Sequence, residues 1–292
     1  MQYSVIICTY NRANDLAKVL DQLCKQSKEV DVKLEFLVID NNSTDQTQEI
    51  VIEFAEQYHH VRYLFEDRQG KPFALNTAIQ QAKGDWLFFT DDDVVFDDHW
   101  LKAMINAVNI YSFKCFFGKI IPLWPMEKPD WYDPRMGSVI VNADHGNSFK
   151  DKMNYMVGAN MGIHKDIFKQ YGGFNEKIKR FEDSELSLRL REKVNIAYVP
   201  DAVVYHPVTP SRVNKLYFKK WYFEMGRIID LRLFAQQHKK ILGIPRWVYR
   251  AFLKQLFLSL KSIDPKIRFY HQLQVWRYLG SFQEKWFNAN VK

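Results

Sequence analysis

The amino-acid sequence predicts an α/β protein: a mostly parallel central sheet with flanking helices, followed by a basic, aromatic, helical C-terminal extension. Three observations predict it. Short apolar runs alternate with amphipathic stretches through the first hundred residues, the pattern of right-handed βαβ units. Three polar clusters, at 9–12, 40–43 and 91–93, each follow an apolar run, where open α/β sheets bind ligands. Charge is divided along the chain. Residues 215–292 carry 16 Lys and Arg against 4 Asp and Glu, a net of +12, whereas the remainder nets −5.

The elements follow in order. Residues 3–9 form an apolar run suited to burial in a parallel sheet, and Leu16, Val19, Leu20 and Leu23 then mark one face of a helix. Residues 34–39 read as a second strand, with Thr44 or Asp45 placed to cap a helix through Ile50, Val51 and Phe54. A third strand near 61–65, a helix over about 72–82 and a fourth strand at 86–90 complete the front. From 115 to 210 the pattern is less regular. Pro122, Pro125, Pro129 and Pro134 punctuate a loop carrying Trp124 and Trp131, Glu182 opens a helix, and 195–199 and 202–205 read as two short strands. One boundary is expected, between an α/β domain at 1–214 and the helical extension at 215–292.

Several classes are excluded. Apolar residues make up 47% and charged residues 26%, a globular rather than a disordered composition. No stretch reaches the ~18 uninterrupted apolar residues of a membrane span. The first residues read as a strand without a basic lead, so no secretory signal is expected. Cys8, Cys24 and Cys115 lie far apart without metal-ligand spacing, which favours a reducing compartment over a disulfide framework or zinc finger. The glycines of a dinucleotide fingerprint or P-loop are absent.

Asp91, Asp92 and Asp93 are the sharpest local signal. Adjacent carboxylates repel, and folding tolerates them best when a cation neutralises them; all-oxygen ligands favour Mg²⁺ or Mn²⁺. A solvated loop capping the next helix is the equal alternative. Glu182 and Asp183 fit either a general base or ordinary helix-start acids. His206 is a metal ligand or a structural histidine, and Trp124 and Trp131 are sugar-stacking platforms or loop anchors.

Together these residues resemble the inverting family 2 glycosyltransferases of the GT-A fold. The matching pieces are Val5-Ile-Ile-Cys-Thr-Tyr-Asn-Arg12, Phe36-Leu-Val-Ile-Asp-Asn-Asn-Ser-Thr-Asp45, Gly70-Lys-Pro-Phe-Ala-Leu-Asn76, Gly84-Asp85 and Thr90-Asp-Asp-Asp93. Gly158-Ala-Asn160, Gly172-Gly-Phe-Asn175 and Glu182-Asp-Ser-Glu-Leu186 follow in the family's order, over about residues 3–210.

The resemblance implies roles. Thr9, Tyr10, Arg12 and Asp40 would hold the nucleotide's base and ribose, and Lys71, Asn76, Asp91 and Asp92 would line the donor site. Asp91 and Asp93 match the ends of the Asp-x-Asp metal motif, and His206 the late histidine that joins Mn²⁺ or Mg²⁺ in some members. Asp183 matches the catalytic base, Glu182 stands beside it, and Glu185, Asn160, Trp124 and Trp131 would serve the acceptor. Two departures stand out: Phe181 where relatives often have glycine, and Leu75-Asn76 where Arg-Asn is common.

The expected activity is transfer of a sugar, from a UDP-sugar by preference, to a saccharide or glycolipid hydroxyl in surface polysaccharide synthesis. A non-catalytic nucleotide-sugar- or membrane-binding module is the alternative. Lys and Arg beside Trp, Tyr and Phe in 215–292 suit an anionic membrane surface, and no nucleic acid is expected. The expected location is the cytoplasm, at the cytoplasmic face of the inner membrane.

Overall fold

The computed structural model of the chain describes residues 1–230 and 240–288. They divide into two compact units: Met1–Leu123 with Ala143–Pro207, and Trp124–Asn142 with Val208–Lys292.

The first unit is built on an eight-stranded sheet. Strands β1 (Gln2–Thr9), β2 (Lys33–Asp40), β3 (Val61–Phe65) and β4 (Trp86–Thr90) run parallel in the order β3-β2-β1-β4. Helices α1 (Ala13–Ser27), α2 (Thr47–Gln57) and α3 (Lys71–Gln81) connect them. Thr9 pairs with Asp40 and Asp40 with Phe65, so the carboxyl ends lie level. Beyond β4 the sheet continues through β7 (Asn160–His164), β6 (Cys115–Leu123), β8 (Ile196–Pro207) and β5 (Val95–Phe96). In this half only β6 and β8 are parallel; β4–β7, β7–β6 and β8–β5 are antiparallel. The two strands expected at 195–199 and 202–205 are one, because β8 stays paired to β6 through a register shift between Gly118 and Lys119.

Local sequence accounts for the helices. Leu16, Val19, Leu20 and Leu23 are buried at i, i+3, i+4 and i+7, holding α1 on the sheet face formed by Val5, Ile7, Phe36, Val38 and Phe88. The N-cap position of α2 is Gln46 rather than the expected Thr44 or Asp45, and Asp45 acts from just before it. One carboxylate oxygen accepts from the Thr47 amide and hydroxyl at 3.1 and 2.5 Å, and the other accepts from the Ala13 amide at 3.1 Å, so it secures the first turns of both α1 and α2.

At the amino ends of the strands, buried Glu35 accepts from the Ser4 hydroxyl at 2.5 Å, the Lys83 amide at 2.6 Å and the Arg62 guanidinium. Burial works to raise this carboxyl, but the three donors hold it below its ordinary value. Cys8, Cys24 and Cys115 are free thiols, and burial pushes Cys24 and Cys115 up to about 12.

The second unit differs from the expected division at 214/215 because residues 124–142 belong to it. Tyr132, Met136, Val139 and Ile140 bury against Phe218, Tyr222, Phe269 and Leu273. These come from α7 (Lys215–Met225) and the helix Pro265–Gln283, which cross where Gly226 meets Gly280. A Cβ at Gly226 would strike the Arg277 carbonyl, and one at Gly280 the Phe223 carbonyl. The helix Arg246–Lys261 and the short hairpin Lys240–Ile241/Ile244–Pro245 complete the unit. Among the described residues, no helix is long and apolar enough to cross a membrane.

Candidate active site

The carboxyl ends of β1, β2 and β4, the start of α3, the end of β8 and the start of helix α6 (Glu182–Leu190) bring the charged candidates together. Lys71, first residue of α3, donates to an Asp91 carboxylate oxygen at 2.6 Å, and its Nζ lies 3.7 Å from Glu182 Oε1. Arg12 pairs with Asp92 at 3.0 Å and with Asp93. His206 Nε2 stands 3.6 Å from Asp91 and 3.8 Å from Asp93, its Nδ1 3.1 Å from the Pro207 carbonyl oxygen. One ligand atom from each of Asp91, Asp93 and His206 lies within 4.8 Å of the others. Two carboxylates and an imidazole form a donor set of the kind Mn²⁺ accepts, and these three residues could hold a metal ion.

The electrostatics follow from burial opposed by close charges. Burial works to raise the Asp91 carboxyl, but Lys71 and His206 outweigh it and hold Asp91 far below the usual carboxylate range. Burial works to lower Lys71 and His206, yet the carboxylates around them raise both. Asp92 is different: burial, with repulsion from Asp93 and Asp91, pushes it up to about 6 despite Arg12 and the Thr9 hydroxyl. Glu182 is likewise raised by burial and by Asp183 and Asp91, against the pull of Lys71.

Asp183 is held in a fixed orientation. One oxygen accepts from the Gly158 amide at 2.9 Å, the other from the Ser184 amide at 2.6 Å. The unusual residue before Glu182 explains itself: Phe181 adopts φ 65°, ψ 32°, the left-handed region where glycine is at ease. Phe181 reaches the same geometry with its side chain buried.

Other expected residues are placed differently. Asn160 is wholly buried: its amide accepts from Trp100 Nε1 at 2.9 Å and donates to the Lys119 and Ala202 carbonyls at 3.0 and 2.8 Å. Its side chain thereby ties β7 to β6, to β8 and to the helix Trp100–Ile110. Glu185 lies in the interior of the first unit. It is buried and takes Arg189 Nε at 3.1 Å on each oxygen, while that guanidinium holds the Tyr171 and Gly173 carbonyls.

Asn76 joins the same construction, donating to the Phe174 carbonyl and Glu176 and accepting from the Phe174 amide. Trp124 and Trp131 lie in the second unit as anchors of its aromatic cluster, Trp124 edge-on to Tyr132 and Trp131 edge-on to Phe218 and Phe269. Tyr10 is exposed at the end of β1, and Thr9 is buried beside it.

Sequence reasoning missed Tyr63. Its hydroxyl donates to one oxygen of buried Asp40 at 3.0 Å while the Ser43 amide donates to the other at 2.9 Å. Nothing local marks a tyrosine in a strand for this role, since only the pairing of β2 with β3 brings it there.

The family model described as glycosyl transferase family 2 matches residues 4–172, more than half of the chain. The chain is 25% identical over 257 residues to the glycosyltransferase AglE of Haloferax volcanii, covering 86% of this chain and 81% of AglE. It is 37% identical over 106 residues to the uncharacterized glycosyltransferase YibD of Escherichia coli, covering 36% of this chain and 30% of YibD. In fold it is similar to the mannosyltransferase PcManGT from Pyrobaculum calidifontis in complex with GDP-Man and Mn²⁺. That match has a TM-score of 0.63 at 17% identity and covers 98% of this chain and 87% of that one. TarS 1-349 of S. aureus, in complex with UDP-GlcNAc, aligns with a TM-score of 0.60 at 16% identity, over 97% of this chain and 91% of that one.

Proposed function

The chain belongs to glycosyl transferase family 2 and is a glycosyltransferase with the GT-A fold, and from that premise we propose a finer reaction. It moves a sugar from a UDP-sugar to a hydroxyl of a saccharide or lipid-linked saccharide, inverting the anomeric carbon, with a divalent cation bound. The observation that carries this reading is the convergence of Asp91, Asp93 and His206 on one point at the carboxyl edge of the parallel strands. Asp91, Asp93 and His206 would hold Mn²⁺ or Mg²⁺; when bound, the ion neutralises charge on a leaving diphosphate.

The protein's own groups do the rest. Thr9, Tyr10, Arg12 and Asp40 flank the nucleoside side, with Asp40 fixed by Tyr63. Lys71, charged and set between Asp91 and Glu182, offers a cation to the departing nucleoside diphosphate. Asp183, fixed by the Gly158 and Ser184 amides, takes the proton of the acceptor hydroxyl. The hydroxyl oxygen then bonds to the anomeric carbon as the bond from that carbon to the diphosphate oxygen breaks on the opposite face.

UDP is preferred on the TarS likeness, although PcManGT carries GDP-Man. The proposal extends to surface polysaccharide synthesis at the cytoplasmic face of the inner membrane, met through residues 215–292.

Thermal-shift titration with UDP, GDP, dTDP and CDP, with and without Mn²⁺, tests the donor and the metal together. We expect UDP with Mn²⁺ to raise Tm in wild type and not in Asp93→Ala; absence of any nucleotide effect in wild type would sink the reading. In Asp183→Asn the UDP shift should persist while transfer falls about 10²–10⁴-fold.

A further inference from the structure

The helix Arg246–Lys261 turns its larger apolar side chains outward. Its inner face is modest: Val248 and Ser259 are buried, Phe252 lies edge-on to Phe282, and Gln255 meets His271 at 2.7 Å. On the opposite face Leu253 is 61% exposed, Phe257 60% and Leu260 77%. At about 100° per residue these three project within about 60° of one another. Arg250, Lys254 and Lys261 fall on the adjoining stripe, with Lys261 Nζ 5.7 Å from the centre of the Phe257 ring.

The charge on this face has one sign. No Asp or Glu occurs from Arg246 to Ile263. The acids nearby are engaged elsewhere: Asp264 caps the following helix through the Lys266 amide, and Glu224 and Glu284 both pair with Arg227.

We propose that this face docks on an anionic lipid bilayer. Leu253, Phe257 and Leu260 enter the acyl boundary, while Arg250, Lys254 and Lys261 meet the headgroup phosphates. The proposal deepens the membrane part of the proposed function by reducing residues 215–292 to one helix face. Three arguments select the occupant. A contiguous apolar stripe of this kind is unusual on a protein surface without a partner. The cationic stripe beside it complements a negative lipid surface, at about 1 kcal/mol per Lys or Arg. Symmetric pairing with a second copy would instead set the cations against their own copies. At 16 residues the helix is about 24 Å long by its rise per residue, fitted to lie in the interface rather than to span it.

Co-sedimentation of the full chain with phosphatidylcholine vesicles, with and without phosphatidylglycerol, tests this. Wild type should bind the anionic vesicles and release as salt rises. L253S/F257S/L260S should lose at least about tenfold in partitioning, and R250Q/K254Q/K261Q should lose the preference for phosphatidylglycerol. L216S, which removes a similarly exposed leucine of α7, should bind as wild type. All these residues are exposed, so Tm and its shift by UDP with Mn²⁺ should be unchanged.

Unaltered binding by the triple apolar variant overturns the face. Failure of wild type to bind overturns the membrane partner altogether, while a retained nucleotide shift leaves the donor reading standing. Wild type that sediments as a dimer, with the triple variant monomeric, assigns the face to a second copy and also overturns the proposal.

Discussion

Acids stand at both ends of the parallel strands of the first unit, and Glu35 at one end is held differently from the cluster of Asp91, Asp92, Asp93 and Glu182 at the other. At the amino ends a single acid, Glu35, meets Ser4, the Lys83 amide and Arg62, and its carboxyl is held down. At the carboxyl ends four acids, Asp91, Asp92, Asp93 and Glu182, share Lys71, Arg12 and His206. Lys71 and His206 outweigh burial at Asp91 and hold it down, whereas burial, joined by repulsion from neighbouring acids, pushes Asp92 and Glu182 up. The contrast separates a structural ion pair from the cluster to which the proposed function assigns metal binding and catalysis. Excess like charge in one place is destabilising, and a fold keeps it where the charge has a further use.

The largest expected effect breaks the comparison at the carboxyl edge. Asp93→Asn should lower kcat/KM by about 10³-fold, as loss of a metal-centred charge stabiliser does, while Tm stays level or rises because repulsion within the cluster is relieved. Steady-state transfer assays beside melting curves check both halves.

At the amino ends the signs reverse. Glu35→Ala leaves Arg62 and two donors without their acceptor and should cost about 3 kcal/mol in urea-unfolding stability. The nucleotide-dependent Tm shift should be untouched.

Acid titration sharpens the contrast using Glu66, which Arg68 holds at about 2 against burial, with help from the Thr77 hydroxyl. A depressed carboxyl stabilises the fold fully above its ordinary value of 4.5, and that stability is lost as pH falls from there to about 2. Melting curves across that window should therefore show Tm dropping less steeply in Glu66→Gln than in wild type.

The smallest effect is Ser4→Ala, which removes one of three donors to Glu35. We expect about 1 kcal/mol, measured by the same urea series, with the remaining two donors keeping the acid satisfied.

Much of the site was legible because its groups fall in short contiguous runs. Thr9 to Arg12, Asp40 and Asp91 to Asp93 each sit at the end of an apolar strand, and parallel topology brings those ends to one edge. Other polar residues in motif-like positions have partners that the motif does not show. Asn160 and Asn76 are satisfied by groups far away in sequence, and Glu185 by Arg189 one helical turn on. Tyr63 was missed for the converse reason, since its partner lies 23 residues earlier on the neighbouring strand.

The sequence by itself determined the alternation of strands and helices in the front, the polar strand ends and the division of charge. These depend on periodicity and composition, which are local. Only the tertiary structure decided three things: the antiparallel half of the sheet, the union of residues 124–142 with the C-terminal helices, and which face of Arg246–Lys261 is left outward. Each turns on which apolar surfaces find one another across long stretches of chain. Burial is a property of the assembled neighbours, and no local pattern specifies it.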